Sequence, residues 1–117
     1  MKHLFLINPA AGSRDRTLEY SREIAKLCKN LDYRVEISQR PGDCARLARE
    51  AAQSGEEYRI YACGGDGTLN EVAAGAAGYD NVAITVWAGG SGNDFVRLFS
   101  EPGAFQYLPR LLDAEET

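Results

Sequence analysis

One stretch restricts the fold more than any other. Tyr58-Arg59-Ile60-Tyr61-Ala62-Cys63 runs directly into Gly64-Gly65-Asp66-Gly67-Thr68-Leu69-Asn70-Glu71. The first six residues are mostly apolar and aromatic, the composition of a buried strand. Beyond the glycines, Leu69, Val72, Ala73 and Ala76 recur at helical spacing. Thr68 stands three residues before Glu71, a capping-box pattern that predicts a helix opening at Thr68. A strand that turns through glycines into a helix gathers free N–H groups and the positive end of a helix dipole at one point, which makes an anion site. Gly64, Gly65 and Gly67 remove the side chains that would hold a phosphate away, and they permit positive φ. Asp66 is the odd member, because a carboxylate repels an anion unless a cation stands between them. It is read as holding Mg²⁺, directly or through water, or as accepting from a ligand hydroxyl. The alternative is an Asp that only shapes the turn through its own backbone hydrogen bonds.

The remaining chain repeats the strand-then-helix order. His3 to Ile7 form a continuous apolar strand of the kind buried on both faces of a parallel sheet. The turn Asn8-Pro9-Ala10-Ala11-Gly12-Ser13 follows, with Ser13 expected to cap a helix whose inward stripe is Leu18, Ser21, Ile24, Ala25 and Cys28. Tyr33 to Ser38 alternate like a strand with one wetter side, near a sheet edge. Pro41-Gly42-Asp43 breaks the chain before an Ala-rich helix, Cys44 to Ser54, that turns Leu47, Ala48 and Ala51 inward and stops at Gly55. The central helix is expected to end at Gly78, and Asn81 to Trp87 make a fourth strand. A second glycine-rich stretch, Ala88-Gly89-Gly90-Ser91-Gly92-Asn93-Asp94-Phe95, comes next, and Val96 to Asp113 are expected to be partly helical. Alternating strands and helices imply an α/β fold of three layers, a mostly parallel sheet with helices on both faces.

In such sheets ligands bind beyond the C-terminal ends of the strands. All four ends carry unusual loops: Asn8 to Ser13, Ser38 to Asp43, Gly64 to Thr68, and Gly89 to Asp94. Their convergence is more specific than any one of them. The sequence has no Gly-x-x-x-x-Gly-Lys-Ser/Thr, no Gly-x-Gly-x-x-Gly after the first strand, no nucleophilic Ser elbow and no His/Cys metal set. His3, the one histidine, has no acidic or Cys partner nearby in sequence and is given no function. With 13 Lys and Arg against 17 Asp and Glu, the net charge is −4. No basic run appears, which argues against nucleic acid as a partner. Cys28, Cys44 and Cys63 lack metal-type spacing and read as small buried hydrophobes of a reducing cytoplasm. Trp87 closes a strand beside the loops, and core packing outweighs a base-stacking role for it.

These residues together resemble a family. Gly64-Gly65-Asp66-Gly67-Thr68 with Asn70-Glu71 looks like the signature of the diacylglycerol kinase catalytic domain, shared with sphingosine and ceramide kinases. Asn8-Pro9-Ala10-Ala11-Gly12 is similar to that family's Asn-Pro-x-Ser/Ala-Gly turn. Gly90-Ser91-Gly92-Asn93-Asp94-Phe95 is similar to its Gly-Thr-x-Asn-Asp-Phe segment, with Ser91 for Thr and Ala88 where Pro commonly precedes. Asp43-Cys44-Ala45 stands where Gly-His-Ala is frequent. The resemblance covers essentially all 117 residues.

It implies ATP- and Mg²⁺-dependent phosphorylation of a lipid hydroxyl, diacylglycerol-like. Gly64, Gly65, Gly67 and Thr68 would cradle the nucleotide phosphates, and Asp66 would organise Mg²⁺ or water. Asn8, Pro9, Gly12, Ser38 and Glu71 would border the nucleotide, supported by Gly90, Ser91, Asn93 and Asp94. Family members carry a second, mostly β domain that completes the lipid cleft and supplies the general base. This chain is therefore expected to be a single nucleotide-binding domain, residues 1–117, nearly inactive alone, and either part of a longer protein or naturally short. The expected setting is cytoplasmic, with a transient membrane surface as partner and an exposed strand edge that suits a homodimer. The rival readings are an NAD-kinase-like enzyme on a soluble substrate and a non-catalytic nucleotide-binding module.

Overall fold

The computed structural model describes residues 2–10, 15–87 and 106–107. Along the chain lie β1 (Lys2–Ile7), α1 (Thr17–Leu27), β2 (Tyr33–Ile37), α2 (Asp43–Gln53), β3 (Tyr58–Cys63), α3 (Asp66–Gly75), β4 (Val82–Trp87) and β5 (Gln106–Tyr107). The sheet order is β2-β1-β3-β4-β5. The first four strands are parallel, and β5 pairs antiparallel with β4. β1 and β3 are thus central, which is why both read as near-continuous apolar runs.

The two-residue period of each strand sends alternate side chains to opposite layers. Leu4, Leu6, Ile60, Ala62, Val82 and Ile84 pack with Cys44, Ala48, Ala51 and Ala52 of α2 and with Val72 of α3. Phe5, Ile7, Tyr61, Cys63 and Trp87 pack with Tyr20, Ile24 and Cys28 on the other face, under α1. Phe5 stacks on Tyr61 with ring centroids 4.1 Å apart, and Tyr20 meets Trp87 edge-on at 5.3 Å. The three-layer α/β/α architecture is the one expected, with β2 at an edge and largely exposed. Trp87 is core, as expected, and all three cysteines are free and buried.

Several local expectations are corrected. The buried stripe of α1 is Tyr20, Ile24 and, just past its end, Cys28, while Leu18 is 62% exposed and Ala25 faces solvent. Tyr20 wins the inward place because its ring packs on Trp87 while its hydroxyl donates to the Trp87 carbonyl at 2.9 Å; a phenol satisfies both ends of that site and Leu18 would not. α1 opens at Thr17 with Arg16 as its N-cap residue, and the Asp15 carboxylate accepts the Thr17 N–H at 2.8 Å. Ser13, the expected cap, lies outside the described residues. α3 begins two residues before Thr68, with Gly65 at the N-cap, so no capping box forms there. Its last helical residue is Gly75 rather than Gly78. Gln106–Tyr107 form a strand within the segment expected to be partly helical; the other residues of that segment lie outside the described ones.

α2 and α3 pack so closely that a Cβ on Gly75 would fall on the Ala45 carbonyl, with the carbonyl carbon 2.6 Å and the Ala45 Cα 2.7 Å away. Only a glycine admits that approach. It fixes α3, and hence the loop at its start, against α2.

Candidate functional site

The site begins where the ladder bonds of the sheet continue past the strand ends. The Ser38 N–H donates to the Ile7 carbonyl at 2.9 Å, Asn8 N–H to Cys63 at 3.1 Å, and Gly64 N–H to Trp87 at 3.2 Å. Three loop roots are thereby held level at one edge of the sheet. From there Asn8 reaches into all of them. Its Oδ1 accepts the Ala10 N–H at 3.1 Å and the Ser38 hydroxyl at 3.5 Å, and its Nδ2 donates to Thr68 Oγ1 at 3.4 Å.

Gly65 turns the chain from β3 into α3 at φ +106° and ψ −166°. That conformation belongs almost wholly to glycine. The first intrahelical bond runs from Leu69 N–H to the Gly65 carbonyl at 3.0 Å. The N–H groups of Asp66, Gly67 and Thr68 therefore lie ahead of any intrahelical acceptor, beside the positive end of the α3 dipole. Among the described residues, a Cβ on Gly65 or Gly67 would meet no atom within 4 Å. Asp66 is exposed at the first helical position, and Thr68 is buried.

Beside this opening lies a cleft of about 390 Å³, lined by Asn8, Pro9, Ala10, Ser38, Gln39, Arg40, Pro41 and Glu71. Of the residues singled out in the sequence, Asn8, Pro9, Ser38 and Glu71 therefore share one cavity, and Gly64, Gly65, Asp66, Gly67 and Thr68 form the turn next to it. Gly12, Gly90, Ser91, Asn93 and Asp94 lie outside the described residues. The sequence reading missed Gln39 and Arg40 as wall residues and Asp43 as their support. The signals were the place of the Ser38 to Asp43 loop at a strand end and Pro41-Gly42, which marks a turn without saying what faces inward.

Asp43 is buried although ionisable. Its Oδ2 accepts the Gln39 N–H at 2.7 Å, and its Oδ1 lies 3.7 Å from Arg40 Nε and 3.6 Å from Arg46 Nε. The Gln39 N–H above all, then the two guanidiniums, hold its carboxyl below the usual range against the opposing effect of burial. Glu71 accepts the Gly42 N–H at 3.0 Å. Burial pushes the Cys44 thiol up to about 11 and also holds the Cys63 thiol well above its ordinary value, so neither is a thiolate nucleophile near neutral pH.

With this geometry in view, the sequence matches the family described as diacylglycerol kinase catalytic domain over residues 2–116. The chain belongs to this family. "Putative lipid kinase YtlR" of Bacillus subtilis is 34% identical over 105 residues, covering 86% of this chain and 34% of the relative. "Probable lipid kinase YegS-like" of Cronobacter sakazakii is 36% identical over 98 residues, covering 80% of this chain and 32% of the relative. Two crystal structures of Bacillus anthracis proteins, one described as a putative diacylglycerol kinase and one as a diacylglycerol kinase, superpose with TM-scores of 0.60 and 0.58 at 27% and 26% identity. They cover 88% and 86% of this chain, and 36% and 37% of theirs. This diacylglycerol kinase family chain thus spans about a third of the length of the curated relatives it matches.

Proposed function

We propose that this chain supplies the ATP-binding part of a lipid kinase that phosphorylates a diacylglycerol-like hydroxyl with ATP and Mg²⁺. The observation that carries the reading is the reach of Asn8. One amide links the β1 loop, Ser38 after β2 and Thr68 in the first turn of α3, and so sets a cleft against an anion-binding helix start. Family membership supports a kinase, and phosphoryl transfer asks mainly for positioning and charge neutralisation, which suits a site built largely of backbone.

In this reading the N–H groups of Asp66, Gly67 and Thr68 receive phosphate oxygens, and Gly65 and Gly67 let them come close. Asn8, Pro9 and Ser38 border the rest of the nucleotide, Glu71 stands in the cleft wall bonded to Gly42, and Gly12, Gly90, Ser91, Asn93 and Asp94 are assigned to the same site by resemblance. Asp66 fits a metal role, since it is exposed and adjacent to the phosphate position. Among the described residues no three acidic, His or Cys side chains gather into a metal cage. Asp66 would then hold Mg²⁺ directly or through water, with phosphates and waters completing the shell. Bound there, the metal neutralises charge on the transferring phosphoryl group.

The group that takes the lipid hydroxyl's proton is placed outside these residues, in a further domain, so this chain alone is predicted to be nearly inactive. The lipid acceptor and a transient membrane surface belong to that larger protein, with a cytoplasmic setting. Among the described residues no helix is long and apolar enough to cross a membrane.

The test is transfer of labelled phosphate from ATP to diacylglycerol vesicles, by this chain and by this chain joined to the remaining domain of a relative. The expected outcome is background transfer by the first and lipid phosphorylation by the second. A robust rate from the 117 residues alone contradicts the division of labour. Transfer only to a soluble dinucleotide, or nucleotide binding with no transfer from either form, favours one of the two rival readings.

A further inference from the structure

The wall of the cleft opposite Asn8 has no regular secondary structure between β2 and α2, yet it is held at both ends by carboxylates that belong to helices. Asp43, the first residue of α2, takes the Gln39 N–H at 2.7 Å. Glu71, on α3, takes the Gly42 N–H at 3.0 Å. Arg40 and Pro41, which line the cleft, lie between these two anchor points. Asp43 is itself buried and draws Arg40 and Arg46 to within 3.7 and 3.6 Å. A charge is held out of water only where bonds replace its hydration, and here the Gln39 N–H and the Arg40 guanidinium come from the segment that forms the wall, with Arg46 of α2 beside them.

We infer that Asp43 and Glu71 are positioning residues for nucleotide binding, which clamp Gln39–Gly42 from two helices so that Ser38 and Arg40 stand preformed at the cleft. The inference rests on the nucleotide reading of the site and adds a division within it. Asp43 touches no ligand, and Glu71 serves through Gly42 rather than by contact with nucleotide or metal. Because α2 and α3 are locked together at Gly75 and Ala45, the two clamps act as one support. Releasing either lets the wall sample positions that do not bind, and apparent affinity falls by the fraction of time lost.

Calorimetric titration with ATP and Mg²⁺ tests this, together with amide hydrogen exchange at Gln39 and Gly42. Asp43→Ala and Glu71→Ala are expected to weaken ATP binding about ten-fold and to lose protection at Gln39 and Gly42 respectively. Glu71→Gln, which keeps an acceptor for the Gly42 N–H, is expected to stay within about two-fold of wild type. Arg49→Ala removes the Arg49 Nε bond to the Gly75 carbonyl (3.3 Å) between the same helices, away from the cleft, and separates general loosening from loss of the clamp; its ATP affinity is expected to match wild type. Unchanged ATP affinity in both alanine variants overturns the inference while leaving the nucleotide site in place. A Glu71→Gln loss as large as that of Glu71→Ala overturns the positioning role of Glu71, because the charge itself would then be needed. A wild type that binds no nucleotide overturns the reading of the site, and this inference with it.

Discussion

Gly75→Ala sets two effects of known sign against each other. Alanine is favoured over glycine by about 0.8–1 kcal/mol in a helix interior, and at the last helical residue of α3 that gain is an upper bound on what alanine would add. The new Cβ, however, would lie 2.6 Å from the Ala45 carbonyl carbon. The obstacle is backbone, so no side chain can swing aside. Ordinary carbon contacts begin near about 3.5 Å, and α2 and α3 would have to separate by about 1 Å to reach them. That movement loosens Val72 against Cys44 and Ala48, all buried in the same cluster, and lengthens the Arg49 bond to Gly75. Overpacking of this kind costs about 1–3 kcal/mol or more, and the overlap here is with main chain, so the upper half of that range applies. The net expectation is a loss of about 1–2 kcal/mol after the propensity gain, or several degrees in Tm for a domain of this size. Urea unfolding followed by Trp87 fluorescence reads it directly. A variant more stable than wild type by about 1 kcal/mol would mean propensity wins, and the close approach of α2 to α3 would be refuted.

Gly65→Ala forces a Cβ into φ +106°, with no atom of the described residues within 4 Å to clash; strain should cost about 1–3 kcal/mol and move the turn, with ATP affinity reporting the movement. Tyr20→Phe removes the donor to the Trp87 carbonyl, and a loss of about 1 kcal/mol in urea unfolding is expected while the ring contact remains. His3 is buried against Tyr61, with Nδ1 2.8 Å from the phenol oxygen, and burial followed by the Arg59 charge lowers its pKa. A depressed pKa means the unfolded chain binds the proton better. The stability linked to His3 is therefore complete above its ordinary pKa of about 6.5 and lost as pH falls through that value and below. Urea midpoints from about pH 7.5 to 5 should fall for wild type and less for His3→Gln; parallel curves would remove His3 from the account.

Much of the fold was legible because β1, β3 and β4 are buried on both faces and α2 presents one continuous Ala-rich stripe. Such patterns need no knowledge of partners. Thr68 shows where local reading fails. It sits in a capping-box pattern, yet the helix opens at Asp66 because Gly65 adopts a conformation that only glycine takes easily, and Thr68 turns to Asn8 instead. The phase of α1 failed for a similar reason, since Leu18 outranks Tyr20 in hydropathy but cannot bond the Trp87 carbonyl. At the candidate site, the loops carrying Asn8, Ser38 and the glycine turn stood out because they follow strand ends, where ligands of such sheets bind, and Asn8 and Ser38 themselves were singled out by resemblance to the family. Gln39, Arg40 and Asp43 were not, because their roles depend on which backbone amides meet which carboxylates across 4 to 29 residues.

The Gly64–Thr68 turn and the adjoining cleft are proposed to bind a nucleotide together with Mg²⁺. Isothermal titration of this chain with ATP, with and without Mg²⁺, alongside Asp66→Ala, tests this proposal most directly. Binding is expected to strengthen with Mg²⁺ in wild type and to lose that dependence in Asp66→Ala, whose side chain is exposed. No heat of binding at millimolar ATP, or equal affinity with and without Mg²⁺ in both proteins, would contradict it.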